Sequence, residues 1–359
     1  MSETITDKKD FLIIGSGIAA CTLAHTFDKC GLSFQLLSKP DLSNCSKIAA
    51  GLWNPIVFKR LTKSWLANEL IDFLIPFYKE IEDKTNSTFL HERPLIKNFF
   101  EQQEINFWEK KAQSELNGFL KLPILDSYNL NFNGGVLTEK VGLVNKAGNI
   151  DTKKYIDVTL NYFKDNFIPL KLNYNELLLT ESGVEFKGLV YKNVIFCEGY
   201  LVEHNPFFNF IRLKPAKGEV LKIKSEKLSL NKSILNKDGF IFNNHEKEFV
   251  VGSTYEWHYL NEKPTTEAKA ELEKKLTQLI DVPYSIQSHE AGIRPSSEDR
   301  RPIIGRHPKY ANLFVFNGLG TKGVMLAPYF ANKFVNFYLK KSTLPDEVNV
   351  ARFYSRYNA

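Results

Sequence analysis

The chain has 359 residues, 43% of them hydrophobic, enough for a sizeable core in one or two domains. Its 47 Lys and Arg are scattered among 41 Asp and Glu for a net charge of +6, and short pairs such as Lys59-Arg60 and Lys110-Lys111 form no stripe that would suit nucleic acid. Cys21, Cys30, Cys45 and Cys197 show neither CxxC nor metal-ligand spacing, no apolar run reaches membrane-spanning length, and residues 1–10 lack a signal-peptide pattern, so a reduced, cytoplasmic protein without a metal site is expected.

Phe11-Leu12-Ile13-Ile14 reads as a buried strand. Gly15-Ser16-Gly17 is a turn, and residues 18–29 follow as a helix that ends at Cys30-Gly31. A second apolar strand is predicted over 32–37. Strand, glycine turn, helix and strand in that order form the context of a dinucleotide fingerprint, here with Ala20 at the third glycine position. Such a turn lays Gly15, Ser16, Gly17, Ile18 and Ala19 beside a pyrophosphate, under the open N–H groups of the helix. A plain βαβ unit with a glycine turn is the alternative. The fingerprint normally continues with an acid against the adenosine ribose. Here the second strand ends in Ser38-Lys39-Pro40, and Asp41 comes late. Ser38 is left as a hydroxyl partner for the ribose, and Lys39 would suit a phosphorylated one.

The small residues of Ala49-Ala50-Gly51-Leu52-Trp53-Asn54-Pro55 would let backbone lie against a flat ring system. An amphipathic helix over 64–83, kinked at Pro76, and a helix over 102–114 open an inserted second domain. A strand over 141–145 is followed by a helix N-capped by Asp151. Strands are predicted over 167–172, 177–180, 184–186 and 191–198, the last ending at Gly199. Short strands over 219–224, 240–242 and 249–254 read as an antiparallel sheet. Thr265 or Thr266 caps a helix reaching 280. A strand over 313–316 leads into the glycine-rich turn 317–324 and a final helix over 325–340. The fold class is α/β: a discontinuous Rossmann-like domain (1–60, 141–204 and 291–359) with an α+β substrate domain built on an antiparallel sheet (61–140 and 205–290).

Ile13-Ile14-Gly15-Ser16-Gly17-Ile18-Ala19-Ala20, the segment 49–55, Gly292-Ile293-Arg294-Pro295 and Gly318-Leu319-Gly320-Thr321-Lys322-Gly323 together resemble the D-amino-acid oxidase and glycine oxidase group of flavoproteins. Order and rough spacing agree along nearly the whole chain. The resemblance implies noncovalent FAD between the two domains. It places Gly15, Gly17 and Ile18 on the pyrophosphate and Ala49, Ala50, Gly51 and Leu52 beside the isoalloxazine. It places Gly199 near the pyrophosphate or ribitol, and Gly318, Gly320, Thr321, Lys322, Gly323 and Val324 at the pyrimidine end of the ring. Arg294 stands where the group carries the arginine that grips a substrate carboxylate, and Tyr255 is the nearest match to its pocket tyrosines.

The reaction so implied is oxidation of the C–N bond of an amino acid or related secondary amine, by hydride transfer to flavin N5 and hydrolysis of the imine. A planar guanidinium at Arg294 would hold the carboxylate bidentately, against the alternative of an ion pair with Glu298 or Asp299. Lys322 is either a charge facing the reduced ring or a solvated lysine. Trp53, Trp257 and His258 are pocket-wall candidates, while His289 and His307 read as structural. The partner is a small carboxylate-bearing amine, with no nucleic acid expected and the oligomeric state open. Rival readings are a 2-hydroxy acid oxidase, a quinone-linked dehydrogenase, an amine oxidase of modified tRNA, and a nucleotide-binding protein without catalysis.

Overall fold

The computed structural model describes residues 8–39, 44–181 and 183–357, so Pro40 and Asp41 lie outside the described residues. The first strand, Lys9–Ile14, is the middle of a parallel core. It pairs in parallel with Phe34–Leu37 on one side and Leu189–Phe196 on the other. Phe167–Ile168 extends the sheet beyond Phe34–Leu37, and Leu313–Asn317 pairs in parallel with Leu189–Phe196. A strand covered on both faces needs side chains that are apolar on both, and Phe11, Leu12 and Ile13 are fully buried. The predicted strand over 167–172 is only two residues long, Phe167–Ile168, and residues 170–172 line the cavity described below.

The second sheet has the order Ser285–Arg294, Ala216–Lys224, Glu248–Gly252, Phe240–His245, Ile234–Asn236, Leu95–Asn98, Lys140–Val144 and Leu125–Asp126. Its neighbours are antiparallel except Ile234–Asn236 with Leu95–Asn98, which run parallel. Two segments fall across the expected division. The strand Lys140–Val144 lies, from residue 141 on, in the expected Rossmann-like part, yet it pairs with Leu95–Asn98 in the second sheet. Gly142 lies against the rings of Phe99 and Trp108 there, which fixes its side of the molecule. Ser285–Arg294 is one strand of the second sheet throughout, so a boundary at 291 cuts an element. Apolar periodicity finds a strand but does not name its partner.

Helix Ala67–Thr85, expected in the inserted part, passes through Pro76 as one element and packs on the last helix, Gly323–Tyr338. Trp65 stacks on Phe330 at 5.6 Å, and the Tyr78 hydroxyl donates to the Val324 carbonyl at 3.1 Å. Both caps follow the sequence: Asp151 accepts from the Lys154 N–H, and Thr265 rather than Thr266 accepts from Ala268. The helix after Thr265 stops at Leu276, short of 280.

Gly51 holds the segment 49–52 in place. Its φ is +65°, and a Cβ there would lie 1.9 Å from the Ile150 carbonyl oxygen. Backbone on both sides cannot yield, so Gly51→Ala should cost on the order of 3 kcal/mol, read as a lowered unfolding midpoint.

Candidate active site

Strand ends and helix starts converge on one cavity of about 700 Å³ between the two sheets. It begins at the fingerprint. The Gly15 N–H donates to the Leu37 carbonyl at 2.9 Å, and the Cys197 N–H donates to that of Ile14 at 2.8 Å, so the turn sits where three parallel strands finish. Helix Ile18–Lys29 starts there after Gly17, which has no side chain to cap it, and with no acid in its first turn, so its positive end faces the cavity.

The turn is braced by residues that the motif does not mention. The Asn44 amide donates to the Ser16 carbonyl at 3.1 Å, and Ser46 Oγ accepts the Ile18 N–H at 3.1 Å. The Ile18 N–H is therefore already engaged, and the remaining N–H groups of the first turn are the ones left for an anion. Asn44 also caps the helix Cys45–Ile48, and this local Asx pattern (Asn44, then Ser46) was the signal in the sequence. Ser38 Oγ lies 2.9 Å from Ser16 Oγ.

Residues 49–52 form a second wall. Thr152 Oγ1 donates to the Ala49 carbonyl at 2.9 Å, which pins this backbone. The turn Gly320–Lys322 and the start of helix Gly323–Tyr338 form a third, so a second helix N-terminus borders the same space. Lys322 reaches across to donate to Ser64 Oγ at 2.8 Å. Burial, helped by Arg300 and Arg301, holds its ammonium below the usual lysine range. An anion brought alongside would offset that bias.

Among the described residues, all those assigned to the cofactor line the cavity except Gly318. Gly318 turns the chain behind the wall: its φ is +72° and its N–H donates to Asn317 Oδ1. Trp53, a pocket-wall candidate by sequence, is 1% exposed and packs in the core against Gly148. Trp257 is half exposed and stacks on Tyr255 outside the cavity. His307 is structural, its Nδ1 accepting from the Lys309 and Tyr310 N–H groups.

Arg294 comes from the second sheet. Its Nη1 donates to the carbonyls of Lys217 (3.4 Å) and Thr254 (3.2 Å), and its guanidinium lies 4.5 Å from the centre of the Tyr255 ring. The ion-pair alternative is not realised: Asp299 faces Arg352 and Glu298 faces Arg356. Among the described residues no carboxylate pairs with Arg294. Burial lowers its pKa, with only the weak influences of Tyr255 and Cys45 against it. A half-buried cation held by carbonyls and a ring has no carboxylate among the described residues to offset its charge. Gly218, on the neighbouring strand, is what admits it: a Cβ there would lie 1.9 Å from Nη2.

Glu198, just after the end of the strand Leu189–Phe196, lines the cavity together with Tyr174. Tyr174 donates to Oε1 at 2.6 Å and Asn205 to Oε2 at 2.7 Å. Burial pushes its carboxyl up to about 7 despite both donors. The four thiols are unpaired, and burial raises those of Cys21 and Cys45 to about 12 and about 11. Among the described residues no group of side chains could hold a metal ion, and no helix is long and apolar enough to cross a membrane.

These features fit FAD: a helix start with N–H groups left for the pyrophosphate, a glycine at 199 whose missing Cβ would meet no atom within 4 Å, and a cavity of about 700 Å³ lined by 49–52 and 320–324. Comparison with known proteins agrees. Residues 10–336 match the family of FAD-dependent oxidoreductases described as DAO. The glycine oxidase of Bacillus licheniformis is 31% identical over 119 residues, 33% of this chain and 32% of that protein. The tRNA 5-methylaminomethyl-2-thiouridine biosynthesis bifunctional protein of Leptospira interrogans is 23% identical over 96% of this chain, which spans 59% of that protein's length. Among solved structures, the glycine oxidase of Geobacillus kaustophilus superposes with a TM-score of 0.78 at 17% identity, covering 96% of this chain and 98% of that one. The L-proline dehydrogenase of P. horikoshii gives 0.78 at 16% identity, covering 98% and 99%. The chain belongs to the DAO family of FAD-dependent oxidoreductases.

Proposed function

We propose that the protein oxidises the C–N bond of an amine that carries a carboxylate, an amino acid or a secondary amine built on one. The observation that carries this reading is the Arg294 guanidinium, half-buried at the cavity and paired with no carboxylate among the described residues. A substrate carboxylate supplies that anion with charge-assisted hydrogen bonds. Bound FAD supplies the two-electron acceptor. The chain's own work is positional. Carbonyls of Lys217 and Thr254 hold one edge of the guanidinium, the Tyr255 ring covers a face, and Val220, Phe240 and Leu95 keep the wall apolar. Overall the neutral amine loses two electrons and two protons, a hydride from the α-carbon and a proton from nitrogen, and water hydrolyses the resulting imine.

The test is anaerobic. Holoenzyme is mixed with glycine, N-carboxymethyl amines, N-methyl amino acids, D- and L-amino acids and 2-hydroxy acids, and loss of flavin absorbance is followed. Bleaching by amines and not by hydroxy acids is expected; bleaching by hydroxy acids alone would overturn the reading.

Lys322 enters through charge. Two-electron reduction leaves negative charge on the cofactor, which a buried ammonium favours. Lys322→Met should lower the midpoint potential of the bound flavin on the order of tens of millivolts in an anaerobic redox titration. An unchanged potential would remove Lys322 from the cofactor's surroundings.

A second reading places the amine on a modified tRNA base. The Leptospira protein, aligned over 96% of this chain, is named for such a product. Tyr255, Trp257 and Tyr259 are 50%, 52% and 74% exposed in the segment that covers Arg294, which offers ring faces for a base. The modest net charge speaks against RNA. Flavin bleaching by tRNA that disappears after ribonuclease treatment would establish this substrate.

A further inference from the structure

The fingerprint's ribose acid is missing at the end of the second strand, where Ser38 and Lys39 stand, and among the described residues one carboxylate, Glu198, lines the cavity. Sheet order gives the direction of the cofactor. The pyrophosphate belongs at the start of Ile18–Lys29. Arg294, 49–52 and 320–324 wall the cavity on the side of the second sheet and the last helix. The adenosine half therefore runs the other way, over the ends of Phe34–Leu37 and Phe167–Ile168. The cavity is walled there by Ser38, Lys39, Leu170, Leu172, Tyr174 and Glu198.

Ser38 is buried against Ser16. Glu198 is the one Asp or Glu among the described residues lining the cavity. It follows the strand beside Lys9–Ile14, and its side chain meets the Tyr174 hydroxyl from the segment beyond the outermost strand. No Lys or Arg of the described residues pairs with it. Tyr174 and Asn205 fix its plane while each uses one oxygen once. In its ionised form each carboxylate oxygen can accept a second hydrogen bond, and hydroxyls donating there would favour that form against the burial that disfavours it. Two free acceptors on a fixed carboxylate match the two vicinal hydroxyls of a ribose.

We infer that Glu198, reaching over from the strand end on the far side of Lys9–Ile14, receives the adenosine ribose hydroxyls of FAD in place of the missing acid. Leu170 and Leu172 form the apolar side of the adenosine site, and Tyr174 and Asn205 are positioning residues that act through Glu198.

The test measures binding rather than turnover. Apoprotein is titrated with FAD and with its 2′-deoxyadenosine and 3′-deoxyadenosine analogues, following the quenching of flavin fluorescence. Wild type should bind at least one deoxy analogue about tenfold more weakly than FAD. Glu198→Ala should bind FAD about tenfold more weakly than wild type and treat FAD and both analogues alike. A Glu198→Ala protein that keeps the wild-type discrimination, or a wild type that binds both analogues as tightly as FAD, would overturn the inference. If Glu198→Ala fails to give a native circular dichroism spectrum, Glu198→Gln carries the test. That variant keeps the size of the side chain but not both acceptors, so discrimination against at least one analogue must fall; full discrimination in it would equally overturn the inference.

Discussion

Arg294→Ala should reduce kcat/KM for any carboxylate-bearing amine by about a hundredfold to a thousandfold, with FAD content unchanged. The size follows from what the guanidinium is asked to do. It lies in a partly enclosed, largely apolar cavity, its own charge disfavoured by burial and paired with no carboxylate among the described residues. The substrate anion entering beside it gains a partner in a region of weak screening, and removing the arginine leaves that anion unpaired. Arg294→Lys is the sharper comparison. It keeps the charge but loses the planar fork, and an ammonium cannot serve the Lys217 and Thr254 carbonyls and a carboxylate with the same fixed geometry. Most of the loss should therefore persist in the lysine variant. Flavin content, read from the absorbance of the purified protein, separates this role from damage to the cofactor site. Wild-type kinetics in either variant would take Arg294 out of substrate binding.

The parts of the cavity that were legible in the sequence are those where backbone conformation dictates residue type. Gly15-Ser16-Gly17 after an apolar run admits few structures other than a strand turning into a helix. The small residues 49–52 and the glycines 320 and 323 mark places where backbone approaches something flat. Asp151 and Thr265 announced their helices through capping chemistry. What escaped was pairing across long separations. Val141 and Val144 have the same alternation whichever sheet receives them, and only contact with Phe99 and Trp108 decides. Gly318 and Gly320 look alike in the sequence, yet one turns the chain behind the wall and the other lines it. Trp53 has the composition of a pocket wall and the burial of a core residue. Glu198 carried no signal because its meaning depends on Tyr174 and Asn205, which reach it only through the fold.

Gly218→Ala should disable the same function from one residue away, without touching a charged group. Gly218 lies on Ala216–Lys224, in register with Gly292 of the strand that bears Arg294. Successive side chains of a strand point to opposite faces, and here the faces have different duties. On one, Lys217 Nζ lies 3.1 Å from Glu219 Oε1 and donates to Asn261 Oδ1 at 3.2 Å, while Glu219 accepts from the Thr265 N–H at 2.9 Å. These buried contacts tie down the segment that brings Tyr255 over Arg294. On the other face, Gly218 leaves the space that the guanidinium fills. An alanine Cβ would lie 1.9 Å from Nη2, 2.1 Å from Cζ and 2.3 Å from Nη1. No contact between these atoms survives at such distances, so the end of the flexible arginine must move while the backbone stays. The expected result is a rise in KM for carboxylate substrates of about tenfold or more, with flavin content and unfolding midpoint near wild type. If the arginine is the sole route of the effect, Gly218→Ala added to Arg294→Ala should cost nothing further, a strongly non-additive cycle. Full additivity would mean that Gly218 serves the substrate directly, and an unchanged KM in the single variant would mean that the guanidinium finds an equivalent position within the cavity.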